Sequence, residues 1–240
     1  MFTVDEVNKE IQNYIKYTSY NVPTIQEVIY VDSYDWYGEV TNQEILENKY
    51  IIRFSNNLDN CPLEFQKSVI WHEVTHIVDI INNKHLETSA LGGMMSTYSE
   101  AHATAIQLRF LLHITPKQIV NQGKRVLYYS NGRQDIGTVT ANYINKSYQY
   151  LMDFGETKQP KDFQSFIREF SYFCGYMFLK NTKDAESLMD AIIKKFPQSY
   201  QSDLYDLYIH IVTSNHIGCA AIYTKLKAEA MIDSLRELLV

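Results

Sequence analysis

Pro62-Leu63-Glu64-Phe65-Gln66-Lys67-Ser68-Val69-Ile70-Trp71-His72-Glu73-Val74-Thr75-His76-Ile77-Val78-Asp79-Ile80-Ile81 is the stretch on which the reading of this chain turns. Proline suits a first helical position, where the N–H it lacks would be unpaired anyway. Phe65, Val69, Ile70, Val74 and Val78 then recur at helical spacing, and Asn82-Asn83-Lys84 stops the run. The spacing predicts one strong helix to about Ile81. Within it stand His72, Glu73 and His76. Residues four apart on a helix lie one above the other, so two imidazoles can reach a single ion. Zinc takes such nitrogens at roughly 2.0–2.1 Å. Glu73 falls on the adjoining face, beside the ion, where its carboxylate can accept a proton from water. Two histidines and a glutamate on a largely apolar helix are costly to bury without a partner, which favours a metal over solvated side chains.

Upstream, Val4, Val7, Ile11, Tyr14 and Ile15 predict a helix over 4–17. Residues 26–31 and 49–54 have strand composition, and Asn56-Asn57-Leu58-Asp59-Asn60 breaks the pattern before the long helix. Downstream, Gly92-Gly93 suggests a loop. A second helix is expected from Ser99, its N-cap, to His113, with Ala101, Ala103 and Ala105 as helix formers. Over 116–154 helix is expected, ending at Asn131-Gly132, with a hairpin at Tyr128-Tyr129-Ser130-Asn131-Gly132 as the alternative. The polar run 155–161 reads as a linker. Phe163, Phe166, Ile167, Phe170, Cys174, Met177 and Phe178 then form an apolar stripe, followed by shorter stripes at 185–196, 203–213 and 217–239. The expected fold is a mainly helical α+β protein: a small sheet near 26–54 on the metal helix, in a domain over 1–154, then a helical region over 155–240.

A catalytic zinc takes three protein ligands and keeps one open position. A histidine ten residues after His72 would supply the third in one known arrangement, but that position is Asn82, and position 79 is Asp79 rather than glycine. His85, in a polar turn, reads as solvated. Glu100 and His102 remain; they point roughly 200° apart on a helix, so only one can readily face the metal. Glu100 opens the second helix beside small Ala103 and Thr104, which would let that helix come close. It is the expected ligand, with His102 as the alternative. Asp79, three residues past His76, is a possible acceptor for that imidazole's other N–H.

The run from His72 to Asp79 resembles the active-site helix of thermolysin-like enzymes. Together with a glutamate on a following helix, it resembles the gluzincin group of zincin metallopeptidases. The lead-in of strand, turn and helix and the short distance to Glu100-Ala101 look more like compact ImmA/IrrE-type intracellular proteases, which are associated with cleavage of repressor proteins. The resemblance covers residues 49–113. It departs from the thermolysin-like pattern at Thr104, where those enzymes carry aspartate, and from the ImmA/IrrE pattern at His102 and Thr104, where asparagine and phenylalanine are usual. It implies a zincin-like fold, Zn2+ on His72, His76 and Glu100, and hydrolysis of a peptide bond with Glu73 as general base. Tyr98, His102, His113, Tyr143, His210 and His216 have the chemistry to stabilise an oxyanion, without a spacing that selects one.

Composition narrows the alternatives. The chain is 45% hydrophobic and 21% charged, enough to bury a large core. Its 22 basic and 28 acidic side chains give a net charge of −6, against the basic excess that phosphate contacts require, so no nucleic-acid partner is expected. Three scattered cysteines suggest neither a disulfide framework nor paired zinc motifs. No basic-then-apolar leader opens the chain, and no membrane partner is expected; the cytoplasm is the expected location. The expected partner is a protein or peptide substrate. The alternative is a zincin-fold zinc-binding module that acts by recruiting a partner rather than by cleavage.

Overall fold

The computed structural model describes residues 1–33, 35–86, 88–120, 125–157 and 159–236. The chain opens on α1 (Val4–Thr18), started by a capping box between Thr3 and Glu6 and burying Val7, Ile11 and Tyr14. β1 (Glu27–Val31), β2 (Gly38–Glu39), the one-turn α2 (Asn42–Leu46) and β3 (Ile51–Ser55) follow. β3 lies centrally in the sheet, parallel to β1 and antiparallel to β2, in the order β1-β3-β2. Its Ile52 and Phe54 are fully buried while Ile51 and Arg53 are partly exposed, the period-two alternation of a sheet with one covered face. Arg53 grips Glu44 of α2 with both guanidinium nitrogens, at 2.7 and 2.5 Å.

α3 (Leu63–Asn82) is the expected metal helix, with Pro62 one position earlier than predicted, as N-cap. Every residue from Ser68 to Ile80 is buried, so this helix has no solvent face along that length.

Beyond α3 the structure departs from the sequence reading in three places. Gly92-Gly93 is not a loop: it lies in α4 (Thr88–Met94), which continues through a π turn (Met95–Ser99) into α5 (Glu100–Leu111). Ser99 therefore ends the π turn within a continuing helical run rather than opening a separate helix. Glycine was expected to break the chain, but Gly93 serves a different need. A Cβ there would sit 2.6 Å from Ala220 Cα, so the residue lets two helices touch at backbone distance. Second, residues 126–135 form a hairpin, β4 (Val126–Tyr129) and β5 (Gly132–Asp135), rather than a helix ending at Gly132. Leu127 and Tyr129 turn inward, Tyr129 against Phe65 at 4.9 Å, and Gly132 takes φ +95°, which suits glycine. Third, α6 (Ile136–Thr157) runs into the supposed linker, and α7 (Pro160–Met177) begins before that run ends; the expected boundary at 154/155 falls inside α6, and Lys158 lies outside the described residues.

The predicted stripes are helices: α8 (Thr182–Ile193), α9 (Gln198–Val212) and α10 (His216–Arg236), with 237–239 outside the described residues. Phe163, Phe166 and Phe170 are fully buried on α7, each contributing on the order of 1.5–3 kcal/mol. The protein is thus mainly helical α+β with a small mixed sheet. It divides into two compact units, neither continuous in sequence. One comprises Met1–Leu86, His102–Gln118 and Lys124–Ile136; the other Glu87–Ala101, Ile119–Gly123 and Gly137–Val240. All three cysteines are free and buried. Among the described residues no helix is long and apolar enough to cross a membrane.

The adjacent glycines of α4 should respond oppositely to alanine. Gly92→Ala meets nothing within 4 Å and should raise stability by up to about 1 kcal/mol through helix propensity. Gly93→Ala should cost about 1–3 kcal/mol by overpacking against Ala220. Urea denaturation of the two variants measures both signs.

Candidate metal centre

α3 brings His72 and His76 to one face by their four-residue spacing. Their rings meet edge to face with centroids 4.7 Å apart, and both are almost fully buried, 8% and 4% exposed. Glu100 is the first residue of α5, a helix whose body from His102 onward packs in the same unit as α3. One ligand atom from each of His72, His76 and Glu100 lies within 4.8 Å of the others. In a tetrahedral zinc site donors about 2.1 Å from the ion stand ~3.4 Å apart, so a small closing movement of side chains suffices. A two-histidine, one-carboxylate donor set, with both imidazoles buried and the carboxylate residue partly so, fits a divalent zinc ion.

Glu73 is 4% exposed, next to His72 on the buried helix. Against it lies β2, at the edge of the described sheet. A Cβ on Gly38 would come within 2.7 Å of both Glu73 Oε1 and Val69 Cγ1. The absence of a side chain at 38 therefore gives the Glu73 carboxylate its room. Sequence reading missed this residue, because a lone glycine in a two-residue strand carries no periodic signal.

His102 is not with the metal donors. Its Nδ1 lies 2.9 and 3.2 Å from the two Asp79 carboxylate oxygens, and its Nε2 lies 3.3 Å from the Tyr20 hydroxyl. Asp79, expected as a partner for His76, thus makes this hydrogen bond across to α5. His85 is exposed in the turn after α3, as expected. The other sequence candidates are scattered. His113, with φ 52°, pairs with Glu64 at 2.6 Å; Tyr98 packs on His216 at 4.3 Å; His210 contacts Asn215 at 3.1 Å; Tyr143 packs on Tyr172 at 5.4 Å.

Glu100 also has charged neighbours on α7. The Arg168 guanidinium is held more firmly charged by Tyr172 first and by Glu100 after it. Glu169, 6% exposed, has its carboxyl pushed up to about 6, mainly by burial, with the charge of Glu100 acting the same way and Lys146 and Arg168 opposing.

Comparison of the chain with protein-family models, curated proteins and solved structures found no match.

Two outcomes follow from this geometry. Gly38→Ala should displace the Glu73 side chain and destabilise the fold by about 1–3 kcal/mol, read as a lowered Tm. Glu169 binds its proton more tightly folded than unfolded between its ordinary 4.5 and about 6. The stability this confers is complete below the lower value and is lost as pH rises through the upper one. Glu169→Gln should therefore gain nothing on the wild type near pH 4 and exceed it by up to about 2 kcal/mol at pH 7, in denaturation curves at the two pH values.

Proposed function

We propose that this chain is a zinc-dependent endopeptidase of the gluzincin type, in a zincin-like fold, with His72, His76 and Glu100 holding the ion and Glu73 as general base. The observation that carries the reading is that the three donors approach within 4.8 Å, on two helices, with the buried Glu73 next to His72 in the chain. Chance would not be expected to join the sequence spacing of His72 and His76 to an acid twenty-four residues beyond His76.

A zinc ion in such a donor set supplies a Lewis acid that acidifies water toward pKa ~7 and polarises a carbonyl. The residues of the chain do the rest. Glu73 Oε1, in the space left by Gly38, accepts the proton of the attacking water. As the carbon–nitrogen bond breaks, the same carboxylate returns that proton to the departing amine. Burial of Glu73, His72 and His76 keeps bulk water from competing for these hydrogen bonds. The edge strand β2, running past Glu73, brings backbone close to the reacting centre.

Metal analysis of the purified chain should return one zinc per molecule, and His72→Ala, His76→Ala or Glu100→Ala should each lower that occupancy. Glu73→Gln should keep the zinc and reduce cleavage of a peptide library by at least ~10²-fold. Undiminished cleavage by Glu73→Gln would remove its role as base. A zinc-loaded protein that cleaves nothing yet captures a partner would favour the binding-module alternative.

A further inference from the structure

α3 and α5 are tied by two polar contacts on either side of the histidine pair. Gln107 Nε2 donates to Ser68 Oγ at 3.1 Å, with both residues buried. At the other end His102 meets Asp79. Position 68 pairs with 107 and position 79 with 102, so the two helices run antiparallel, and His72 and His76 lie on α3 between the ties. The Asp79 side chain is 6% exposed and that of His102 16%.

We propose that Asp79 and His102 are positioning residues for the metal centre: their hydrogen bond fixes the rotation of α5 about its own axis, so that Glu100 is presented to the histidine pair. The inference rests on the metal reading above and adds two residues to it.

Glu100 and His102 lie two residues apart on one helix, on nearly opposite sides. Holding the His102 imidazole on one side therefore dictates where the Glu100 carboxylate points on the other. Slipping α5 by a single residue would turn Glu100 through about 100° and take it off the histidines. The bond that prevents the slip is directional at both ends. With Asp79 accepting from Nδ1–H, Nε2 is left as an acceptor for the Tyr20 hydroxyl, whose ring meets the imidazole edge to face at 5.9 Å. Tyr20 follows α1, so a third element is recruited to aim the imidazole. An apolar pair at 79 and 102 could fill the same volume without burying a carboxylate. It could not define a rotation in this way. Partners of this kind behind a metal ligand are typically worth ~10–100-fold in metal affinity.

The test uses the full-length chain and Zn2+ alone as probe, in competition with a chromophoric chelator, at a temperature where every variant is folded by circular dichroism. His102→Ala leaves the Asp79 charge in place and should lower zinc affinity at least tenfold. His102→Gln, whose amide can donate to Asp79 and accept from Tyr20, should recover part of the loss. Tyr20→Phe should cost less than His102→Ala. The decisive arm is the double variant. In a Glu100→Ala background, His102→Ala should lower affinity no further, because the residue acts through Glu100, whereas a general loosening of the protein would lower it again. Wild-type affinity in His102→Ala, or an undiminished effect in the Glu100→Ala background, overturns the proposal while leaving the metal centre standing. A wild-type chain that takes up no zinc overturns both, and that titration is read first.

Discussion

Burial of α3 on every side is the constraint from which the rest of this structure follows. From Ser68 to Ile80 every residue of the helix is buried, yet it carries two imidazoles and two carboxylates among its valines and isoleucines. Apolar residues gain by that burial, but polar groups lose water and must find partners. The neighbours of α3 are accordingly of two kinds. One is small: Gly38 beside Glu73. Others bring hydrogen bonds into the interior, as Ser68, Thr75, Asp79 and Trp71 each find a polar group from another element.

That second requirement gives the abundant tyrosine of this chain a physical role. Tyrosine buries a large ring and carries a hydroxyl to its far end. Tyr14, on α1, packs edge to face on Trp71 and shares a hydrogen bond with Thr75 at 3.0 Å. Tyr17 also stacks near Trp71 and donates to the Ile114 carbonyl beyond α5 at 2.6 Å. Tyr20 reaches His102. Three hydroxyls spaced three residues apart thus connect one amphipathic helix and its exit to both α3 and the α5 segment. Burial pushes the Tyr14 and Tyr20 phenols up, away from ionisation, which keeps them able to donate.

What could be read in advance divides along the same lines. α1, β1, β3 and α3 were legible because each repeats its apolar residues at the period of its own backbone. The approach of Glu100 to the histidine pair was legible because it is an acid flanked by small residues in the next long helical stretch. The hairpin was lost because four residues of mixed pattern, Val126 to Tyr129, suit helix or strand alike until Phe65 is there to pack on Tyr129. Gly93 misled because a glycine that permits helix contact is spelled the same as one that ends a helix, and the difference lies 127 positions away at Ala220. Asp79 with His102 escaped for a related reason: the pairing is a property of two helices together, and neither helix encodes it alone.

The π turn ahead of Glu100 has a further consequence. A π turn holds one residue more than an ordinary turn, so it acts as an insertion in a helix that otherwise continues unbroken from α4 to α5. Residues on its two sides are out of phase by about 100° with what a regular helix would give. The azimuth of Gly93, fixed by Ala220, is thereby released from the azimuth of Glu100. Like a vernier between two scales, five residues let a single rod satisfy two independent facings.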